Sequence, residues 1–275
     1  MDFGTSTSEL LVIVGWLIAG GCLTGFMVGL LGVGGGGVMV PVLYEVFSIL
    51  EVDDSYRMQM SVGTALAVMI PTSLRSFAAH AKHEAADYSI LRRLAVPVMA
   101  GVIIGSTIAK FSHSDLLKWI WVVCSWLLAV RMFTARADWR LGDEVPKSRF
   151  VEVYGVGIGV ISSLMSVGGG VFVTIMMTLY GRTIQQAVAT ASGFGPIVAL
   201  PGVIGFMWAG WDRAGLPPGS VGYVSLVGAL VMVSASILTA PLGARVAHGI
   251  SRRTLELAFG IFLLIVGGRF LVSLL

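Results

Sequence analysis

Two short runs of glycine carry the residue types most able to do chemistry. The first lies in "GLLGVGGGGVMVPVL" (29–43) and includes Gly32, Gly34, Gly35, Gly36 and Gly37. The second lies in "SVGGGVFVTIMM" (166–177) and offers Ser166, Gly168, Gly169 and Gly170. Each glycine costs a helix about 1 kcal/mol relative to alanine. Close packing of membrane helices needs a small residue only every fourth position, so consecutive glycines point to a break in the helix. Bare backbone reaches positive φ and lets a ligand approach the main chain. An apolar segment restarts after each run, at about Val38 and Val171. The first amides of a new helix have no helical acceptor, and the macrodipole puts roughly half a positive charge there. Such an end binds anions. Gly34, Gly35, Gly36, Gly37, Ser166, Gly168, Gly169 and Gly170 are therefore the candidate anion-binding positions.

Other side chains could assist. Thr64 and Thr190 occupy matching places in two similar stretches, "QMSVGTA" (59–65) and "QQAVATA" (185–191), and Ser192 follows closely. Their hydroxyls can donate to an oxyanion or bond back to their own helix, as can those of Ser61, Thr72 and Ser73. Gln59 and Gln185 suit capping or tethering. Arg75 is the one cation inside an apolar segment: it either snorkels to the cytoplasmic headgroups or gathers anions at that face. Glu45 is the nearest candidate proton carrier. Pro71 and Pro196 predict breaks or kinks in their segments. Gly32, Gly34 and Gly37 match G-x-G-x-x-G, but an apolar helix precedes them where a dinucleotide site needs a strand. No P-loop motif occurs. Cys22 and Cys124 sit alone in apolar stretches. His80, His83, His113 and His248 fall at segment ends and form no metal motif. No cofactor, metal or catalytic dyad is expected, which argues against an enzyme.

The elements that must hold these groups are membrane helices. Hydrophobic residues make up 56% of the 275 and charged residues 12%. Soluble domains carry roughly 25% charged residues, so much of this surface faces lipid. A net charge of only +3 gives no support to a nucleic-acid partner. Ten apolar segments run over about 10–31, 38–50, 58–79, 94–110, 118–134, 150–165, 171–181, 186–209, 221–243 and 254–275. The N-terminus has no Lys or Arg before the first of these, so that segment reads as a retained span and not a signal peptide. Twelve basic residues (82, 92, 93, 131, 136, 140, 147, 149, 182, 245, 252 and 253) fall in alternate gaps, against five (57, 110, 118, 213 and 269) in the others. The positive-inside rule puts the twelve in the cytoplasm and both termini outside.

At about 1.5 Å per residue, segments 38–50 and 171–181 reach only about 20 and 16 Å, short of a hydrocarbon core of about 30 Å. Each glycine run should thus be a turn inside the bilayer, one entered from each face, where irregular backbone survives only inside protein or beside a wet cavity. The expected fold is all-α and polytopic. Residues 1–135 and 150–275 form two inverted repeats joined by a cytoplasmic linker, 136–149. Each repeat is a partly spanning glycine-turn hairpin plus three transmembrane helices, a plan common in secondary transporters. The two glycine runs align at a fixed offset, and the two glutamine-led stretches follow them in the same order.

"GVGGGGVMVPVL" with "SVGTALAV", repeated as "SVGGGVFV" and "AVATASG", resembles the TauE/SafE sulfite exporter family over nearly the whole chain. The resemblance implies a bacterial inner-membrane permease exporting sulfite or an organosulfonate such as sulfoacetate. The second copy departs from the first: Ser166 stands where the leading glycine is expected, and Ile175 where the first copy has Pro41. The expected activity is alternating-access export of a small sulfur oxyanion, with a passive anion channel or an importer of another anion as alternatives. The expected partners are the anion and membrane lipids; a homo-oligomer remains open.

Overall fold

The structure, a computed structural model, describes residues 7–31, 36–83, 86–134, 140–146, 148–247 and 252–275. Helix dominates: α1 (Thr7–Leu31), α2 (Gly36–Ile49), α3 (Asp54–His83), α4 (Tyr88–Phe111), α5 (Ser114–Thr134), α6 (Arg149–Met165), α7 (Gly170–Leu179), α8 (Ile184–Ser192), α9 (Phe194–Ala209), α10 (Leu226–Ala247) and α11 (Arg252–Val272). The one strand pairing among the described residues is a two-residue antiparallel ladder, β1 (Ser220–Val221) on β2 (Val224–Ser225), which the sequence did not announce. Among the described residues, α4, α5, the α8–α9 pair and Leu226–Gly243 of α10 are long and apolar enough to cross a membrane. Large apolar side chains such as Ile103, Leu127, Ile204, Leu230, Leu238 and Ile265 lie exposed on the outside. An apolar surface of that extent is stable against lipid and not against water.

Both short arms have the expected lengths. α2 has 14 residues and α7 has 10, about 21 and 15 Å at helical rise. The two proline-bearing segments differ in continuity. α3 runs through Pro71 as one 30-residue helix. The other proline-bearing segment does break, but at Gly193, between α8 and α9. Pro196 then sits in the first turn of α9, where a missing N–H costs nothing.

Packing follows small residues. Gly21 and Gly25 bring α1 against the backbone of α10 at Met232 and Ser236. Gly155 and Gly159 bring α6 against α4 at Pro97, Val98 and Gly101. The Ser236 hydroxyl donates to the Gly21 carbonyl, and that of Thr239 to the Cys22 carbonyl, fastening the α1–α10 seam. α3 packs on α9, and α5 packs on α11. Of the membrane-length helices, the α8–α9 pair is the most enclosed, with 67% of its apolar window buried.

Candidate functional site

The second glycine turn connects α6 to α7. Helix α6 ends at Ser166, whose left-handed φ of 56° closes the last turn with its amide donating to the Ser162 carbonyl. Val167 donates to the same carbonyl. Gly168 and Gly169 follow at φ 68° and 71°, a conformation that costs any other L-residue roughly 1–2 kcal/mol. The backbone then enters α7, whose N-cap, Gly169, has no side chain to cap it. Hydrogen bonding resumes at Val173, whose amide donates to the Gly169 carbonyl. The amides of Gly168 to Phe172 make no backbone hydrogen bond of good geometry outside the helix among the described residues. Tyr154 of α6 donates to the Phe172 carbonyl at 3.1 Å and so pins the first turn of α7 to its neighbour.

Two hydroxyls join those amides. Ser162 and Ser166 are fully buried, and neither Oγ has a hydrogen-bond partner. Ser162 lies in the last turn of α6, and Ser166 is its left-handed cap. Ser162 Oγ is 3.5 Å from the position a Cβ on Gly169 would occupy. The remaining wall is mostly apolar: Met69 Sδ from α3 lies 2.9 Å from a Cβ position on Gly168, Ile158 and Val198 lie near Gly169, and the Ala191 carbonyl oxygen of α8 lies 3.5 Å from a Cβ position on Gly170. The turn is therefore rich in donors, buried from Ser162 to Gly169 and partly exposed at Gly170 and Phe172. An unmatched buried donor costs about 1–3 kcal/mol, a cost that an anion seated among these groups would remove.

The other candidate positions fall elsewhere. Gly34 and Gly35 lie outside the described residues. Gly36 opens α2, and Gly37 packs on the ring of Phe259. Thr64 and Thr190 are buried and occupied in matching ways: Thr64 Oγ1 accepts the amide of Ser225, just before α10, and Thr190 Oγ1 accepts that of Asp87, just before α4. Thr190 also donates to the Gln186 carbonyl, and Ser192 to that of Ala189. Ser61, Thr72 and Ser73 likewise bond back to their own helix. Gln59 tethers α3 to the Ser112 carbonyl, whereas Gln185 is exposed. Arg75 is exposed on α3. Glu45 pairs with Arg269 at 3.1 Å. Ser162, in "SSLMS", was missed by sequence reading; its one signal was its position a helical turn before Ser166.

Charge is concentrated at the ends of the helices. Asp54 takes a hydrogen bond from Tyr44 at 2.8 Å and ion pairs from Lys118 at 2.9 Å and Arg57 at 3.3 Å, and Lys118 also reaches Asp115 at 3.2 Å. This network ties α2, α3 and α5 together around a lysine that is itself buried. At the foot of α4, burial alone would raise the pKa of Asp87. Hydrogen bonds from the Ser89 hydroxyl and from the amides of Ile90 and Ser89, with the charge of Arg182, outweigh burial and hold the carboxyl below its ordinary value.

Comparison with known proteins agrees with this architecture. The model of the family described as sulfite exporter TauE/SafE matches residues 17–270. A probable membrane transporter protein of Haemophilus influenzae is 30% identical over 247 residues, covering 90% of this chain and 93% of its own. A probable membrane transporter protein of Methanocaldococcus jannaschii is 25% identical, covering 94% and 96%. One from Bacillus subtilis is 23% identical, covering 91% and 94%. No solved structure matches. With apolar helices presenting their side chains outward and a family match running from the first helix to the last, the chain belongs to the TauE/SafE family of multi-pass membrane transporters.

Proposed function

We propose that the protein is a secondary transporter that exports a small sulfur oxyanion, sulfite or an organosulfonate such as sulfoacetate, across the bacterial inner membrane by alternating access. The carrying observation is the uncapped, buried start of α7, with left-handed Gly168 and Gly169 and the unpartnered hydroxyl of Ser166. Gly170 continues the row of amides, and Gly34 to Gly37 supply the corresponding backbone of the first turn. Thr64, Thr190 and Ser192 hold the helices around these turns, and Arg75 collects anions at the cytoplasmic face. The name of the family supplies the sulfur chemistry. With the cell interior negative, export of an anion is favoured by about 2.3 kcal/mol per charge per 100 mV.

The inverted-repeat plan, with a first unit of 1–135, a linker of 136–149 and a second unit of 150–275, belongs to this reading. Matched packing supports it. Gly21 and Gly25 of α1 seat α10, while Gly155 and Gly159, offset from them by the same interval as the two glycine turns, seat α4. Thr64 and Thr190 each accept the amide that introduces the long helix of the other unit. Two units that brace each other in this reciprocal way can rock about their shared seam, and both termini then lie in the periplasm. Opening the site requires the α3 segment bearing Met69 to move off Gly168.

The test is direction-resolved flux in proteoliposomes loaded with sulfite or sulfoacetate. Saturable efflux that is accelerated by the same anion on the opposite side is the expected result. Non-saturating flux would mean a channel, and no flux of either anion would overturn the proposal. Gly169→Ala, which forces a side chain into a positive-φ position 3.2 Å from Ile158, should remove most of the binding.

A further inference from the structure

We infer that Ser162 is a substrate-binding residue that selects a multi-oxygen anion over a spherical one of equal charge. The inference rests on the anion site proposed above and names a donor beyond the glycine turn itself. Serines buried in this bundle ordinarily bond back to a carbonyl one turn earlier. Ser106 donates to Val102, Ser125 to Val122, Ser163 to Val160 and Ser192 to Ala189, all at 2.7 to 3.1 Å. That habit satisfies a hydroxyl in a medium without water. Ser162, in the last turn of α6, and Ser166, its left-handed cap, depart from it.

Ser162 is 0% exposed, and its oxygen lies 3.5 Å from the Cβ position of Gly169, so it is aimed into the turn. Its own carbonyl is spent on the amides of Ser166 and Val167. The hydroxyl is thus left to donate to whatever enters. Ser162 and Ser166 approach from α6, while the amides of Gly168 to Gly170 belong to the turn and the start of α7. A pyramidal or tetrahedral sulfur oxyanion offers separate oxygens to the two directions. A halide has a single centre and gains from the amides and the helix end alone.

The measurement uses the purified full-length protein in detergent, titrated with sulfite, sulfoacetate and chloride, with thermal melting in parallel. Ser162→Ala should weaken sulfite binding at least tenfold and leave chloride unchanged. Its ligand-free melting temperature should stay level or rise, because an unpaired buried hydroxyl has gone. Ser163→Ala, whose hydroxyl is already bonded, should bind sulfite normally. Ser162→Cys keeps the shape with a weak donor and serves if the alanine variant does not fold; it too should lose sulfite selectively. Normal sulfite binding by the Ser162 variants, with Gly169→Ala defective, would overturn the role of Ser162 and leave the turn as the site. Equal loss of sulfite and chloride, or a lower melting temperature, would make Ser162 a structural residue. Normal binding by Gly169→Ala as well, or no binding of either sulfur anion by the unaltered protein, would overturn the proposed site and this inference with it.

Discussion

Ser166→Gly separates what the turn needs for folding from what it needs for binding. Ser166 holds a left-handed conformation at φ 56° and buries an unpartnered hydroxyl. The backbone conformation costs roughly 1–2 kcal/mol for a residue with a Cβ, and the unpaired hydroxyl costs about 1–3 kcal/mol. Glycine removes both and gives back about 0.5–1 kcal/mol through the greater freedom of the unfolded chain. The empty protein should gain about 1–4.5 kcal/mol, worth several degrees in melting temperature for a chain of this size. Binding should move the other way. A hydrogen bond to a charged partner is worth about 1.5–3 kcal/mol, so losing it weakens the dissociation constant roughly 10- to 100-fold. Differential scanning fluorimetry with and without sulfite reads both quantities on one sample. A variant that melts lower and binds sulfite as tightly as the parent would refute the reasoning, because the serine would then be there for the fold.

The remaining predictions concern charge. Lys118→Ala should lower stability by about 1–2 kcal/mol, measured by thermal melting; buried pairs can cost more to break, but Asp54 and Asp115 are half exposed and stay partly solvated. Arg75→Ala should slow export at sub-saturating cytoplasmic sulfite and leave the rate at saturation unchanged; an unchanged rate at both concentrations would assign Arg75 to lipid headgroups. The carboxyl of Asp87 is held below its ordinary value in the folded protein. Its contribution to stability is therefore complete above the unfolded-state value of about 4 and is lost as pH falls through the lower folded value. Asp87→Asn should flatten the acid limb of the melting curve below about pH 4; an unaltered limb would show that other carboxyls set it.

What the sequence made legible were features fixed by local backbone chemistry. The glycine runs had to interrupt helix, and the arms after them were too short to span, so α2 and α7 could be drawn from composition and helical rise alone. Proline misled because its effect depends on position: Pro71 stays within a long helix braced by neighbours, while Gly193 marks the break near Pro196. Hydroxyls show a different limit: Thr64 and Thr190 were matched in sequence as ligand donors, and each accepts an amide more than a hundred residues away. No local pattern announces that contact. Ser162 carried no symmetry signal, since the matching place in the first copy is Val28. It is identified by a bond it does not make, and an unmade bond becomes visible only when every neighbour is in place. Among the buried side chains left with hydrogen-bonding capacity to spare, which include Thr24 and Trp121, Ser162 and Ser166 are the two beside the second glycine turn. On the proposed reading, the contacts to the anion beyond the glycine backbone come from residues that the first copy does not repeat, since Val28 and Gly32 stand where the second has Ser162 and Ser166.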